Sequence, residues 1–227
     1  MNVTSAITNS CNTYFMEMGY RMGLDTLNEY YSAFGLGEPT GIEIGENTGS
    51  QAVNENGQDQ APWAAFGQAN QEYTPLQLAN YIATLVSGGK HCPAHLLKSV
   101  KSYDNSEIIA TGSTEPLNTM NISDSTLQAV KKGMLGYTTN GGSVAVPFQN
   151  CVVSAGAKTG TAQIGGSMKN GVFVVFAPYD DPEIAVALVL EKADAGAVLA
   201  TTAVDIINSY FSREDTVSIV PENQLIP

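Results

Sequence analysis

Two short runs carry side chains suited to acyl transfer. Ser10-Cys11-Asn12 lies near the start and Lys158-Thr159-Gly160-Thr161 far along the chain, S-x-N and K-T-G in letters. Moving an acyl group from an amide needs a nucleophile, a proton shuttle, an oxyanion hole and groups that grip the substrate. Ser10 and Asn12, two apart in a loop before a helix, can both face one cleft, the hydroxyl to relay a proton and the amide to grip a substrate backbone. A strand across that cleft supplies the fixed positive charge of Lys158 and the hydroxyls of Thr159 and Thr161 for a substrate carboxylate. Gly160 removes a side chain where backbone must approach a ligand, and a backbone N–H of the same strand can complete an oxyanion hole. The nucleophile is the missing piece. A serine with a lysine one helical turn on, S-x-x-K, sets hydroxyl and amine on one face, but only nine residues precede Ser10. Ser87-Gly88-Gly89-Lys90 fits by letter, yet its two glycines would not hold the pair on one helical face.

The surrounding pattern is helices first, then sheet. Asn12 to Met22 and Leu24 to Phe34 have apolar positions at helical spacing, with Gly23 and Gly35 as stops. Residues 35–57 read as loop with one short strand at Ile42 to Ile44. Thr74-Pro75 is an N-cap followed by proline at the first helical position, opening a helix to about Val86 that Gly88-Gly89 ends. Leu96 to Tyr103 and Glu107 to Thr111 flank a turn and predict a hairpin. Ser123 caps a helix to about Leu135. Val152 to Gln163, Gly171 to Ala177 and Ile184 to Glu191 predict three antiparallel strands, with Tyr179-Asp180-Asp181-Pro182 turning between the last two. Ala195 to Phe211 is a long closing helix, and a tail follows from Ser212. The fold class is α+β: one domain over 1–211, helical to about 140, then sheet and terminal helix, with 212–227 as tail.

Composition narrows the function. The chain has 227 residues, 43% hydrophobic and 14% charged, which suits a folded domain. Ten basic against 22 acidic residues give a net charge of −12 and no basic stripe, which argues against a nucleic-acid partner. Cys11, Cys92 and Cys151 are far apart, and His91-Cys92 with His95 lacks further ligands at zinc spacing, so no metal site is expected. No apolar run approaches the ~20 residues of a membrane span, and Met1 to Asn12 do not form a signal peptide.

S-x-N and K-T-G are each weak alone; in this order, with Lys158 on a strand, they are much stronger. The bland alternative makes Ser10 a helix cap, Lys158 a solvated strand residue and Gly160 a bulge. Longer stretches favour the first reading. Ser10 to Phe15, Phe34-Gly35-Leu36-Gly37 with Thr40-Gly41-Ile42-Glu43, Phe66-Gly67-Gln68 with Thr74-Pro75-Leu76-Gln77-Leu78-Ala79, and Lys158 to Gln163 together resemble the transpeptidase domain of class B penicillin-binding proteins. The likeness covers roughly Ser5 to Phe211.

That resemblance implies the serine β-lactamase-like fold, with a helical subdomain beside an antiparallel sheet flanked by a C-terminal helix. It implies a serine-type D,D-transpeptidase that attacks the D-Ala-D-Ala bond of peptidoglycan stem peptides, without a cofactor, and that β-lactams acylate. Ser10 would relay protons, Asn12 would hold the donor peptide, and Lys158 would support the proton network. With Thr159 and Thr161, Lys158 would also bind the carboxylate end, and the Thr161 N–H would be half of the oxyanion hole. The family's S-x-x-K helix lies upstream of S-x-N, so this chain alone is expected not to acylate. It is expected to leave apolar faces uncovered, to be filled by the N-terminal part of a parent protein or by a second copy. The parent would sit at the outer face of the cytoplasmic membrane, tethered by an upstream segment. The alternatives are a serine β-lactamase or β-lactam sensor on the same fold, and a non-catalytic cell-wall scaffold. Against a β-lactamase, Glu115-Pro116-Leu117-Asn118 is one residue short of E-x-x-L-N and far past Ser10.

Overall fold

The structure, a computed structural model, describes residues 1–139, 141–166 and 168–212; the predicted tail, past Ser212, lies outside them. In chain order come α1 (Val3–Thr8), α2 (Asn12–Met22), α3 (Leu24–Ala33), α4 (Ala61–Ala64) and α5 (Pro75–Val86). Four short strands follow: β1 (Lys90–His91), β2 (Ser99–Lys101), β3 (Ile108–Thr111) and β4 (Asn118–Thr119). Then come α6 (Asp124–Thr138), α7 (Ala145–Phe148), β5 (Gly156–Gln163), β6 (Lys169–Ala177) and β7 (Ile184–Leu190), and α8 (Ala200–Phe211) closes the fold. β5, β6 and β7 form an antiparallel sheet in that order, β1 pairs with β4, and β2 with β3.

The central strand β6 explains the layering. It is buried along nearly its whole length because helices cover both of its faces. Phe173, Val175 and Ala177 pack with Leu199, Ala203, Val204 and Ile207 beneath α8. Val174 and Phe176 point the other way, to Ile82 and Leu85 of α5 and Leu127 and Met134 of α6. Period-two alternation thus feeds two cores from one strand. Phe173 and Phe176 are wholly buried, and each stabilises the fold by about 1.5–3 kcal/mol.

Local chemistry sets the helix starts. Thr74 accepts from the Gln77 N–H while the Gln77 side chain accepts from the Thr74 N–H, a reciprocal cap with Pro75 in the first turn. Buried Gln77 also donates to the carbonyls of Glu38 and Thr48, tying down the long loop after α3. Within that loop the strand predicted at Ile42 to Ile44 does not form. The Glu46 carboxylate instead gathers the N–H groups of Thr40 and Gly41 and the Thr40 hydroxyl, curling the segment before it can pair. α6 runs three residues past the expected Leu135, to Thr138, whose hydroxyl donates to the Leu135 and Ala155 carbonyls. The closing helix begins as a 3-10 turn over Gly196–Leu199, because Gly196 is pressed onto the carbonyls of Val172 and Gly160. No helix among the described residues is long and apolar enough to cross a membrane.

His91 is buried between α3, α5 and β4. Gly35 lies against its ring, and the amide nitrogens of Asn80 and Asn118 stand 3.3 Å from its two ring nitrogens. Both neighbours are donors committed to backbone carbonyls, of Cys92 and Ala33, so an imidazolium would face them donor to donor. Burial accordingly lowers the His91 pKa. The unfolded chain then binds the proton first, so stability is full above about pH 6.5 and falls as pH drops from there toward the folded-state pKa. Chemical unfolding between pH 7.5 and 5.5 should show this decline, with a slope of at most about 1.4 kcal/mol per pH unit from one proton. His91→Gln should flatten it.

Candidate active site

The turn after α1 aims Ser10. The Cys11 N–H bonds the Ala6 carbonyl and the Ser10 N–H the Ile7 carbonyl, at 2.9 and 3.1 Å. This is the paired closure of a Schellman turn, whose left-handed residue is usually glycine. Here that residue is Ser10, with φ 50°. A side chain in that conformation costs about 1 kcal/mol, and the gain is a hydroxyl at a fixed place. Asn12 opens α2 on the far side of the turn.

α6 in turn fixes α1. A methyl at Gly133 would lie 2.7 Å from Ile7 Cβ, and one at Gly136 would lie 2.5 Å from Thr8 Oγ1. These glycines let the helices touch backbone to backbone, with Thr4 and Thr8 donating to the Ala129 and Gly133 carbonyls.

Across the cleft runs β5. Gln68 donates to the Thr161 carbonyl at 2.6 Å, and Lys158 Nζ to the Thr159 carbonyl at 3.0 Å. Both carbonyls therefore point away from β6, and in an antiparallel strand a residue's N–H points the same way as its carbonyl. Thr159 and Thr161 thus present their N–H groups along the free edge of the sheet.

Ser10, Asn12, Lys158, Thr159, Gly160 and Thr161 all line one cleft of about 1010 Å³. Lys158 Nζ donates to Ser10 Oγ at 2.8 Å, joining residues 148 positions apart. Among the described residues no carboxylate lines the cleft, and a second lysine, Lys169, does. Burial pulls the Lys158 pKa down to about 8. The Thr161 hydroxyl accepts from the Gly196 N–H at 3.3 Å, which leaves its own proton free to donate. A methyl at Gly160 would meet only Val172, at 3.3 Å. Ser87 and Lys90 lie elsewhere: the Ser87 hydroxyl caps the end of α5 and donates to the Lys90 carbonyl.

The inner end of the cleft is apolar, lined by Ile7, Phe34, Tyr81, Leu85, Val130 and Met134. Tyr137 reaches β5 from α6, its hydroxyl 2.5 Å from Thr159 Oγ1 and its ring 4.5 Å from Lys158 Nζ. No motif marks Tyr137, because its partners come from a strand that only the fold brings alongside α6.

A polar edge strand, a lysine with no counter-ion among the described residues and a serine held against it meet in one cleft. The model of the penicillin-binding protein transpeptidase domain matches residues 1–208, and the chain belongs to that family. It is 27% identical over 252 residues to the peptidoglycan D,D-transpeptidase MrdA of Escherichia coli, an alignment covering all of this chain and 40% of that protein. Its fold superposes on the Pseudomonas aeruginosa PBP2 complex with WCK 5153 at TM-score 0.82, with 25% identity and 95% of this chain and 50% of that one covered. On a ceftriaxone acyl-enzyme of penicillin-binding protein A from Mycobacterium tuberculosis it gives TM-score 0.75, with 27% identity and coverages of 92% and 48%. The chain spans about 40% of the length of the curated transpeptidase it matches.

The close approach of α1 to α6 is testable. Gly133→Val should destabilise the chain by about 1–3 kcal/mol through overpacking. Amide exchange should rise first in Val3 to Thr8 and stay slow in β6, since only the α1 contact is lost.

Proposed function

We propose that this chain carries the substrate-gripping and proton-relay half of a peptidoglycan D,D-transpeptidase site. The observation that carries the proposal is the Lys158–Ser10 hydrogen bond across the cleft. Lys158 donates to Ser10 Oγ, so the Ser10 proton is free to pass to a leaving amine. With a pKa near 8, Lys158 sits close to the working pH, where one group can both hold and return a proton. Asn12 grips the donor peptide from the cleft wall. Lys158 and the hydroxyls of Thr159 and Thr161 meet the terminal carboxylate. The outward Thr161 N–H serves as half of the oxyanion hole, and the open N–H side of the β5 edge receives the end of the stem peptide. Gly160 keeps that edge open.

No S-x-x-K precedes Ser10 within these residues, so the attacking serine and its lysine come from outside them. The inner apolar cleft wall, beside Ser10 and Lys158, is where an apolar helix face bearing that pair would pack. The donor is the N-terminal part of a longer parent, with a second copy as the alternative. Residues 1–211 act as one unit in that assembly. The parent works at the outer face of the cytoplasmic membrane, held by its own anchor. β-Lactams would enter the same cleft, with the carboxylate toward Thr159 and Thr161.

Two measurements test this. A peptide ending in D-Ala-D-Ala should shift the amide resonances of Ser10 and of residues 158–161, and its C-terminal amide should bind at least tenfold more weakly. Equal binding of the two peptides would refute the carboxylate assignment. Intact mass after excess benzylpenicillin should show no adduct on this chain alone; an adduct mapped to Ser10 or Ser87 would place the nucleophile inside it.

A further inference from the structure

Tyr137 is 3% exposed, and its ring packs in the core beneath α8 with Val144, Phe148 and Ala157. Successive residues of a strand point to opposite faces, yet Lys158 and Thr159 both meet this one side chain. Tyr137 therefore lies alongside the edge of β5 and touches both. The ammonium sits 4.5 Å from the ring centroid, within cation–π range. Thr159 Oγ1 is the single partner of the Tyr137 hydroxyl among the described residues. A buried tyrosine hydroxyl uses its proton, so Tyr137 donates and Thr159 accepts. The Thr159 proton is then left to point into the cleft.

We infer that Tyr137 is a positioning residue of this site: its ring seats the Lys158 ammonium, and its hydroxyl turns Thr159 outward as a donor to a substrate carboxylate. The Thr159 half of this inference rests on the transpeptidase reading; the Lys158 half does not. The other groups facing Lys158 are the Ser10 hydroxyl and the Thr159 carbonyl, and Lys169 and Tyr81 line the same cleft. None of them is an anion at neutral pH, so the ring face shares with the Ser10 hydroxyl and the Thr159 carbonyl the task of offsetting desolvation of the charge.

Titration of Lys158 by NMR on the full chain with 13Cε-labelled lysine, assigned with Lys158→Gln, separates the two halves. Tyr137→Leu should lower the Lys158 midpoint by about one pH unit, because the charged form loses the ring face. Tyr137→Phe keeps the ring and should leave the midpoint within a few tenths. Tyr137→Phe should instead weaken the D-Ala-D-Ala peptide by about fivefold, the worth of one hydrogen bond, and leave its C-terminal amide unaffected. A midpoint that stays or rises in Tyr137→Leu overturns the seat. Unchanged peptide affinity in Tyr137→Phe overturns the Thr159 role. Should Tyr137→Leu not fold, a Tyr137→Phe midpoint displaced by more than half a unit overturns the seat, and one within a few tenths supports it. If the wild-type chain binds no peptide, the transpeptidase reading falls and takes the Thr159 role with it. The Lys158 titration still decides the seat.

Discussion

A lysine in a half-dry cleft, with no carboxylate beside it among the described residues, is the constraint on which the rest of this structure depends. An ammonium removed from water loses several kcal/mol of hydration unless dipoles replace it. Here the replacements are a serine hydroxyl, a strand carbonyl and the face of a buried tyrosine. An aspartate in their place would neutralise Lys158 and raise its pKa, spoiling it both as an anion receptor and as a proton carrier. Keeping the counter-ion out would leave the charge for the proposed ligand. That arrangement stands out in a chain of net charge −12, where no acidic residue among the described residues lines this cleft.

Holding Ser10 at 2.8 Å from Lys158 is a problem of rigid support, solved by backbone contacts. α1 is only six residues long and would not persist alone. It survives by docking onto α6 over two glycines and two threonine hydroxyls. The same helix, α6, supplies Tyr137 four residues past Gly133, one turn further along. One helix thus positions the serine on one wall of the cleft and supports the lysine on the other. The left-handed turn at Ser10 stores strain at the point where a side chain has to be aimed.

Local signals were legible in the sequence and tertiary ones were not. The capping box at Thr74 to Gln77, the helix stop at Gly88-Gly89 and the three strands of the main sheet follow from short-range stereochemistry and alternation. The motif residues were legible because their order in the chain is preserved, and all six line one cleft. The strand expected at Ile42 to Ile44 failed because Glu46 claims the backbone first, a side-chain bond invisible to propensity. α1 was missed because Ser10 gives no glycine signal at its end. Tyr137 was missed because its position relative to β5 exists only after the sheet and α6 have packed.

The free edge of β5 ties these points together. An exposed edge strand is ordinarily a liability, blunted by charge, by cover or by shortness. β5 has eight residues, and its outward groups are in part already engaged, by Gln68 at Thr161 and by Lys158 at Thr159. What remains open is the N–H side of the same two residues, flanked by hydroxyls and a positive charge. A general β-strand partner gains little there, because two carbonyl acceptors are already taken. A short peptide that ends in a carboxylate would gain two N–H donors, two O–H donors and a cation at once. Under the proposed function the edge would select for a chain terminus over a chain interior, through the spacing of Lys158, Thr159 and Thr161 along a single strand.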